Sequence, residues 1–483
     1  MTTVERGRTA MMRTGLSKPL STALTDGLLL PGTSVFDYGC GRGGDVLRLN
    51  ALGYDASGWD PDHAADIPRK EADVVNLGYV INVIEDPHER ASVLRSAWSL
   101  ARHILIVAAR PDWEARYVHG RRHGDGVLTT KGTFQKFFKQ DELRSWIDNN
   151  LGIRSIAAAP GIFYVFREDS ASHTFLASRV RNRRAYRRIE IGERLLETQR
   201  VILQPLVDFV VERGRLPDAA EVQNIDGIEN NFGTVKHALA VVRHMIPNDT
   251  WTSAQEAARR DLAVYLALAA FGGRAKFTSL PGDIQLDVRA FYGSYRAACD
   301  SADQLLFSLA DQQILNKACS SAAVGKLTAD ALYVHISAIN RLDPVLRVYE
   351  GCGRALTGAV DGATLIKLNR IEPKVSYLNY PDFDKDPHPA LIASLRADLR
   401  RLHVKFTDFA GSQNPPILHR KETFVADDYP NRDKFARLTL QEERAGLLDD
   451  ARMIGTREGW NATLGQAGLR LAGHRVVRAK GLK

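Results

Sequence analysis

The chain has 483 residues, of which 44% are apolar and 25% charged, so it is long enough for two or three ordinary globular domains. Its four cysteines, Cys40, Cys299, Cys319 and Cys352, form no C-x-x-C pair, and the sequence therefore predicts neither a disulfide framework nor a zinc site, and no metal ligands. No apolar leader and no apolar run of about 18 residues is evident, so we expect a cytoplasmic protein without a membrane partner.

The net charge of +8 is unevenly distributed along the chain. Up to Glu168 there are 21 Lys and Arg against 20 Asp and Glu, whereas the remainder carries 44 against 37. A basic surplus in the C-terminal two-thirds predicts an anionic partner, with nucleic acid the leading candidate. A basic surface that serves only solubility is the alternative.

Residues 1–168 alternate between strand-like and helix-like segments. The predicted strands are "SVFDYGC", "DASGWD", "HILIVAA" and "GIFYVFR", and the predicted helices are "DVLRLNALG", "HERASVLRSAWSLA" and "KQDELRSWIDNNLG". The segment "ADVVNLGYVINVIED" is predicted to be a strand that runs into a helix. This alternation is typical of a doubly wound, mainly parallel α/β sheet, to which we expect a late antiparallel strand to be added.

The composition and the predicted secondary structure change after this domain. Residues 169–195 are predicted to be a basic linker, with six arginines between Arg179 and Arg188 and an interleaved Tyr186. We expect a helical domain over 196–370, in which "VERGRLPDAAEV" and "NFGTVKHALAVV" resemble the two halves of a helix-turn-helix. The region 371–483 is richer in Pro, Asp and aromatic residues and contains the loop "NPPILHRKE". No internal repeat is evident.

A glycine-rich loop follows the first predicted strand in "VFDYGCGRGGD". Gly39, Gly41 and Gly44 fit G-x-G-x-x-G of dinucleotide enzymes, whereas Gly39, Gly41 and Gly43 fit the related G-x-G-x-G of S-adenosylmethionine enzymes. The glycine spacing alone leaves both cofactors open.

The acids around this loop favour S-adenosylmethionine. Asp37 precedes the loop and Asp45 opens the next helix, where both would repel a pyrophosphate. S-adenosylmethionine carries a cationic sulfonium and ammonium there, which Asp37 suits, while Asp45 complements the helix dipole. Asp60 ends the second strand and is predicted to accept the ribose hydroxyls; a turn cap beside Pro61 is the alternative. The expected cofactor residues are thus Asp37, Gly39, Gly41, Gly43 and Asp60, with Asp66 the weaker candidate for the adenine.

Asn76 and Tyr79 are the candidate catalytic residues. They are spaced as the first and fourth residues of the Asn-Pro-Pro-Tyr motif of amino-methylating enzymes, in which Asn accepts from an exocyclic amine and Tyr stacks on a flipped base. Leu77 and Gly78 replace the prolines. The alternative is that Asn76 ends a strand and Tyr79 packs under the cofactor.

Two loops are further candidates. The segment "HGDGVLTTKGTFQKFF", with His123, Asp125, Lys131 and Lys136, is interpreted either as a substrate lid or as a plain connection. The literal "NPPI" of residues 414–417 lacks an aromatic fourth residue and is interpreted as a rigid loop. It is followed by the candidate phosphate contacts His419, Arg420 and Lys421.

Taken together, these motifs resemble the bacterial DNA phosphorothioation-associated methyltransferase family. The similarity is carried by "RTGLSKPL", "VFDYGCGRGGD", "GWDPD", "DVVNLGYVINVIEDPHER", "GDGVLTTKGTFQKFF", "PGIFYVFR", "KVSYLNYPDFDKDPHPAL" and "NPPILHRKETFV". The resemblance implies a Rossmann-like S-adenosylmethionine-dependent methyltransferase domain over 1–168, encoded near DNA sulfur-modification or phage-defence systems.

The leading hypothesis is therefore methyl transfer to DNA, with DNA and other defence-system proteins as partners. A second hypothesis is a sensor that binds S-adenosylmethionine and docks DNA or a defence protein without turnover. A small-molecule or RNA methyltransferase would leave the C-terminal residues unexplained, and a nicotinamide oxidoreductase conflicts with Asp37 and Asp45.

Overall fold

The computed structural model describes residues 4–10, 13–180 and 197–479. Two units are formed, one by Met1–Glu168 together with Leu315–Lys483 and the other by Asp169–Ile314. In the described part of the chain, no helix combines the length and apolarity needed to cross a bilayer.

The first region of the chain, up to Glu168, contains the predicted alternation of strands and helices. Its helices are α1 (Lys18–Thr25), α2 (Gly44–Ala51), α3 (Pro87–Leu100) and α4 (Gln140–Leu151). Its strands are β1 (Ser34–Tyr38), β2 (Asp55–Trp59), β3 (Ala72–Gly78), β4 (Ala101–Ala108), β5 (Gly120–His123), β6 (Gly126–Thr129), β7 (Phe134–Gln135), β8 (Ile156–Ala159) and β9 (Ile162–Phe166).

Six of these strands form one sheet in the order β2-β1-β3-β4-β9-β8. Strands β1 to β4 are parallel, and β9 pairs antiparallel with β4, which confirms the predicted doubly wound fold and its late antiparallel strand. The strand order reverses between β1 and β3, and ligands of open α/β sheets bind outside the carboxyl ends of the strands at such a switch point. The sheet ends at β2, because the short segment between β2 and β3 contains no helix and no further strand.

The central strands are buried on both faces. Val74, Val75, Leu105, Ile106 and Val107 are among the most deeply buried residues of the chain, as expected for parallel strands covered by helices on either side. This rigid core fixes the positions of the loops at the carboxyl edge.

The second unit is helical. Its helices are α5 (Asp169–Val180), α6 (Glu197–Arg213), α7 (Ile225–Phe232), α8 (Val235–Met245), α9 (Asn248–Ala269), α10 (Gly282–Tyr292) and α11 (Tyr295–Phe307). The expected linker 169–195 begins instead with α5, which belongs to this unit, while 181–196, with Tyr186 and most of the arginine run, lies outside the described residues. The expected first half of the helix-turn-helix contains the end of α6 and a short 3₁₀ turn rather than one helix.

The helical unit contains a duplication that the sequence analysis missed. Helices α7 and α8 are joined by Gly233 and Thr234, and α10 and α11 by Gly293 and Ser294, with φ of 77° and 71° at the glycines. In each pair the Thr or Ser side chain caps the second helix by accepting a backbone N–H, at 3.1 and 3.2 Å. The matched positions are Gly233 and Gly293, Thr234 and Ser294, Lys236 and Arg296, and Ala238 and Ala298.

The remaining chain forms a second sheet and a separate two-stranded sheet. Its helices are α12 (Gln312–Ser320), α13 (Pro344–Thr357), α14 (Arg432–Arg444) and α15 (Arg457–Gln466). Its strands are β10 (Lys326–Leu327), β11 (Ala331–His335), β12 (Leu365–Asn369), β13 (Lys374–Asn379), β14 (Ala393–Asp398), β15 (His403–Asp408), β16 (Leu469–Leu471) and β17 (Val476–Arg478). The second sheet contains β10 to β15, and the two-stranded sheet contains β16 and β17.

The expected domain boundary at residue 370 differs from the structure. Strands β10 to β15 form one antiparallel sheet in sequence order, so β11 and β12 lie within a domain that we assigned to helices. Both strands are only five residues long, and the strong helical periodicity of α13 lies between them. Short apolar runs cannot be assigned to strand or helix by periodicity alone.

This second sheet packs against the first region of the chain. The ring of Phe406 on β15 stacks on Trp113 at 5.6 Å, and Asp408 accepts hydrogen bonds from Arg116 at 3.0 Å and Tyr117 at 2.6 Å. Because Trp113, Arg116 and Tyr117 follow β4, the C-terminal sheet lies beside the carboxyl edge of the doubly wound sheet.

Candidate cofactor and acceptor site

The glycine loop occupies the turn between β1 and α2. Gly39, Gly41 and Gly43 have φ of 87°, 54° and 73°, a region that residues with a Cβ atom rarely adopt. The N–H groups of Gly39 and Cys40 donate to the carbonyl of Trp59 at 2.7 and 3.1 Å. A Cβ on Gly39 would lie only 2.3 Å from Val80 Cγ2, so close packing as well as conformation requires glycine at this position.

Asp37 lies buried beneath this loop. It faces Asn76 in the β1–β3 register, and Asn76 Nδ2 donates to its Oδ1 at 2.8 Å. Burial raises the pKa of Asp37 from its ordinary 3.8 to about 7; the Asn76 hydrogen bond and Arg13 oppose this rise, while the nearby charges of Asp45 and Asp60 add to it. The positive charge near Asp37 is therefore too small to offset the burial of its carboxylate, and a cation bound there would stabilise the ionised form.

The two other acids each have a backbone partner. Asp60 Oδ2 accepts from Gly41 N at 3.0 Å, and its Oδ1 accepts from Asp62 N and His63 N at 2.9 and 3.0 Å. Asp60 thus caps the turn, as the alternative proposed, and is also attached to the glycine loop. Asp45 lies in the first turn of α2, as expected from the dipole argument.

An N-terminal segment, residues 4–10, lies over the glycine loop. The carbonyl of Gly7 accepts from His63 Nε2 at 3.0 Å, and a Cβ on Gly41 would lie 3.1 Å from Ala10 Cβ. The sequence analysis did not assign these residues to the site.

Asn76 is not placed as the catalytic prediction requires, whereas Tyr79 lies directly after the carboxyl end of β3. Asn76 is only 2% exposed, its amide is engaged by Asp37, and its Oδ1 is buried without a hydrogen-bond partner among the described residues. It therefore orients the acid of the cofactor loop and does not face an acceptor. Tyr79 follows β3 with φ 62°, is half-buried, and has Arg13 5.8 Å from its ring centre. Burial raises the pKa of its hydroxyl to about 12, so it is neutral at physiological pH.

Further polar groups surround Tyr79, and the sequence analysis did not identify them. Glu114, Arg13, Arg110 and Asp361 are close enough to influence its ionisation, and Arg110 pairs with Glu114 at 2.8 Å. Arg13 belongs to the "RTGLSKPL" segment of the family resemblance, which was the one signal in the sequence that could have identified it as a site residue. Asp361 comes from the loop after α13, so the C-terminal half contributes to this edge of the site.

The candidate lid is a three-stranded sheet, β5-β6-β7. Arg122 and His123 on β5 and Lys131 in the turn between β6 and β7 are exposed. Asp125 instead pairs with the buried Arg90 at 2.8 Å and with Lys136 at 3.0 Å, which lowers the pKa of Asp125 to about 2 despite its partial burial. Asp125 and Lys136 therefore hold this small sheet in place, and its exposed residues carry basic charge.

The predicted phosphate contacts of the "NPPILHRKE" loop are wrong for two of three residues. His419 and Lys421 are buried, and Lys421 Nζ donates to the carbonyls of Phe383 and Asp386, both at 2.6 Å. Burial lowers the pKa of Lys421 to about 7. Arg420 is partly exposed and pairs with Glu443.

The sheet order, the switch point and the glycine loop define a doubly wound α/β domain of the nucleotide-cofactor type. No protein-family model matches the sequence, and no curated protein matches it.

Solved structures similar to this chain include three methyltransferases. Magnesium protoporphyrin IX methyltransferase from Synechocystis PCC 6803, with bound SAH, is 16% identical over 34% of this chain and 94% of its own, with a TM-score of 0.24. The sugar N-methyltransferase KedS8 from Streptoalloteichus sp ATCC 53650 is 16% identical over 31% and 86%, with a TM-score of 0.25. A SAM dependent methyltransferase from Aquifex aeolicus is 15% identical over 31% and 89%, with a TM-score of 0.21.

Proposed function

We propose that the chain is an S-adenosylmethionine-dependent methyltransferase whose acceptor is DNA. The observation that carries the cofactor assignment is the buried Asp37 carboxylate beneath a left-handed glycine loop, with two further acids close by. Such a site disfavours a pyrophosphate and favours a ligand with cationic groups.

In this proposal Asp37 faces the cationic part of the cofactor, and Asn76 holds that carboxylate in place through its 2.8 Å hydrogen bond. Asp60 accepts hydrogen bonds from the ribose hydroxyls, through the lone pairs that its backbone partners do not occupy. Tyr79 contacts the acceptor at the carboxyl end of β3. Methyl transfer is an in-line displacement at the sulfonium, so the residues contribute mainly by positioning the acceptor.

Two basic features support an anionic polymer as the acceptor. The small sheet beside the carboxyl edge exposes Arg122, His123 and Lys131. In the helical unit, Lys236 and Arg296 occupy the same exposed position in the first turn of the second helix of each duplicated pair. In helix-turn-helix proteins the N-terminal residues of the second helix contact DNA.

The test is methyl transfer from tritium-labelled S-adenosylmethionine to genomic DNA, with and without phosphorothioate modification. We expect label in DNA with the wild-type protein and none with Asp37→Ala, whereas Asp55→Ala should retain activity. Asp55 is the matched control because it lies on the neighbouring strand with its side chain 72% exposed. Digestion to nucleosides then identifies the methylated atom.

One observation favours a sensor as the second candidate. Asn76, which was expected to bind the acceptor, is buried and hydrogen-bonded to Asp37. Fewer side chains are therefore available to bind an acceptor than to bind the cofactor. Cofactor binding at the Asp37 loop without label in DNA, RNA or protein would support the sensor and contradict the methyltransferase proposal.

A further inference from the structure

A cluster of two histidines and one glutamate lies in the C-terminal region, away from the glycine loop. His388 follows β13, His419 belongs to the "NPPILHRKE" loop, and Glu442 is on α14. Their side chains are 2%, 9% and 0% exposed. One ligand atom of each residue lies within 4.8 Å of the others.

The hydrogen bonds of the two imidazoles fix which nitrogen faces the cluster. His388 Nδ1 lies 3.0 Å from the carbonyl oxygen of Leu418, and His419 Nε2 lies 2.7 Å from that of Ile454. Since a carbonyl only accepts, each of these nitrogens carries the proton. His419 Nδ1 therefore remains for another partner, and His388 Nε2 faces Glu442 Oε1. Protein metal sites orient histidine ligands in the same way, by donation of the second ring nitrogen to a carbonyl.

The cluster also contains buried polar atoms that lack a partner. His419 Nδ1 and Glu442 Oε2 have no hydrogen-bond partner among the described residues, and neither does the indole nitrogen of Trp460, whose ring lies 4.6 and 4.7 Å from the two imidazoles. Buried unpaired lone pairs on nitrogen and oxygen are unfavourable unless a cation or donor satisfies them.

We propose that His388 Nε2, His419 Nδ1 and the Glu442 carboxylate bind one zinc ion. Two imidazoles and one carboxylate without a thiolate suit Zn²⁺, which has ligand distances of about 2.0–2.2 Å and therefore ligand atoms about 3.3 Å apart in a tetrahedron. The separation of 2.7 Å between His388 Nε2 and Glu442 Oε1 has to widen to accommodate the ion. The inference does not rest on the proposed methyltransferase activity.

A metal ion at this cluster would connect segments that are far apart in the sequence. The three ligands come from three separate segments, so an ion would cross-link the loop after β13, the "NPPILHRKE" loop and α14. It would thereby fix the positions of these three segments against the second sheet. The sequence analysis predicted no metal because it relied on cysteine spacing, which does not detect histidine and glutamate brought together by folding.

The test uses the full chain, purified without a histidine tag, in three metal measurements. We expect one equivalent of zinc per chain by mass spectrometry after reconstitution and desalting. Cobalt substitution should give visible d–d absorption without a thiolate charge-transfer band. A chelator should lower the thermal unfolding midpoint of the wild type by several degrees.

His419→Gln and Glu442→Gln should lose the stoichiometric metal, whereas His403→Gln, at an exposed histidine on β15, should retain it. If a buried variant fails to fold, the wild-type cobalt spectrum and chelator response still decide the question. Wild-type protein that binds neither zinc nor cobalt stoichiometrically, or whose unfolding is insensitive to chelator, would overturn the proposal and leave a buried His388–Glu442 ion pair. Equal metal content in His419→Gln and the wild type would also overturn it.

Discussion

Replacing Asp37 by Asn should stabilise the protein at alkaline pH while it weakens cofactor binding. The buried carboxylate has its pKa raised from 3.8 to about 7, so the folded state disfavours its charged form. Stability associated with the protonated acid is present below the unfolded pKa and is lost as the pH rises towards 7. At about 1.4 kcal/mol for each unit of pKa, the rise sets an upper limit of about 4 kcal/mol for the gain in Asp37→Asn at pH 8.

Hydrogen exchange of peptides from β1 and β3 is the appropriate assay, because it reports on the sheet alone. The stability difference between variant and wild type should be near zero at pH 4 and should grow to its full value by pH 8. Calorimetry at pH 8 should show at least a tenfold loss of S-adenosylmethionine affinity, since a charge-assisted contact is worth about 1.5–3 kcal/mol. Asp55→Asn should change neither quantity. A variant that is less stable than the wild type at pH 8, or that binds the cofactor equally well, would refute this reasoning.

Three further outcomes are expected. The affinity of the wild type for S-adenosylmethionine should fall as the pH drops below about 7, by up to tenfold for each pH unit, because the cation competes with a proton for Asp37; a pH-independent titration would contradict this. Gly39→Ala should abolish cofactor binding, whereas Gly53→Ala, which has a similar φ of 88° but no atom near its Cβ, should cost only about 1–2 kcal/mol of stability in thermal unfolding. The double charge reversal of Lys236 and Arg296 to Glu should weaken DNA binding in fluorescence anisotropy and reduce its logarithmic salt slope by about 2. The exposed Lys276→Glu is the control.

The fold of the first region could be predicted because its local signals agree with one another. Alternating apolar strands, a glycine loop and capped helices all favour the same architecture, and the strand limits differ by only a few residues. The second sheet escaped prediction because its strands are short and because long connections separate β11 from β12 and β13 from β14. Which distant segments pair to form such a sheet depends on tertiary packing rather than on local propensity.

The site shows the same division between local and long-range information. The glycine loop and its acids lie close together in the sequence, so their residue types and spacing could be recognised there. The role of Asn76 was not, because the register that places it opposite Asp37 is set by strand pairing. The same holds for Arg13 and Asp361, which lie close enough to influence Tyr79 although both are distant from it in the sequence.

The pairing of Asp37 with Asn76 explains why a costly buried acid can be held at a fixed position. An unpaired carboxylate at this depth would be neutral and free to rotate, and it would offer a cation only weak attraction. The single hydrogen bond from Asn76 orients one oxygen and opposes the rise in pKa, but it does not neutralise the charge. The carboxylate is therefore left close to its titration point at physiological pH, where a bound cation has the largest effect on it. We expect an apolar or amide residue to make the sheet more stable, and the acid at position 37 therefore fits the proposed role in ligand binding better than a role in folding.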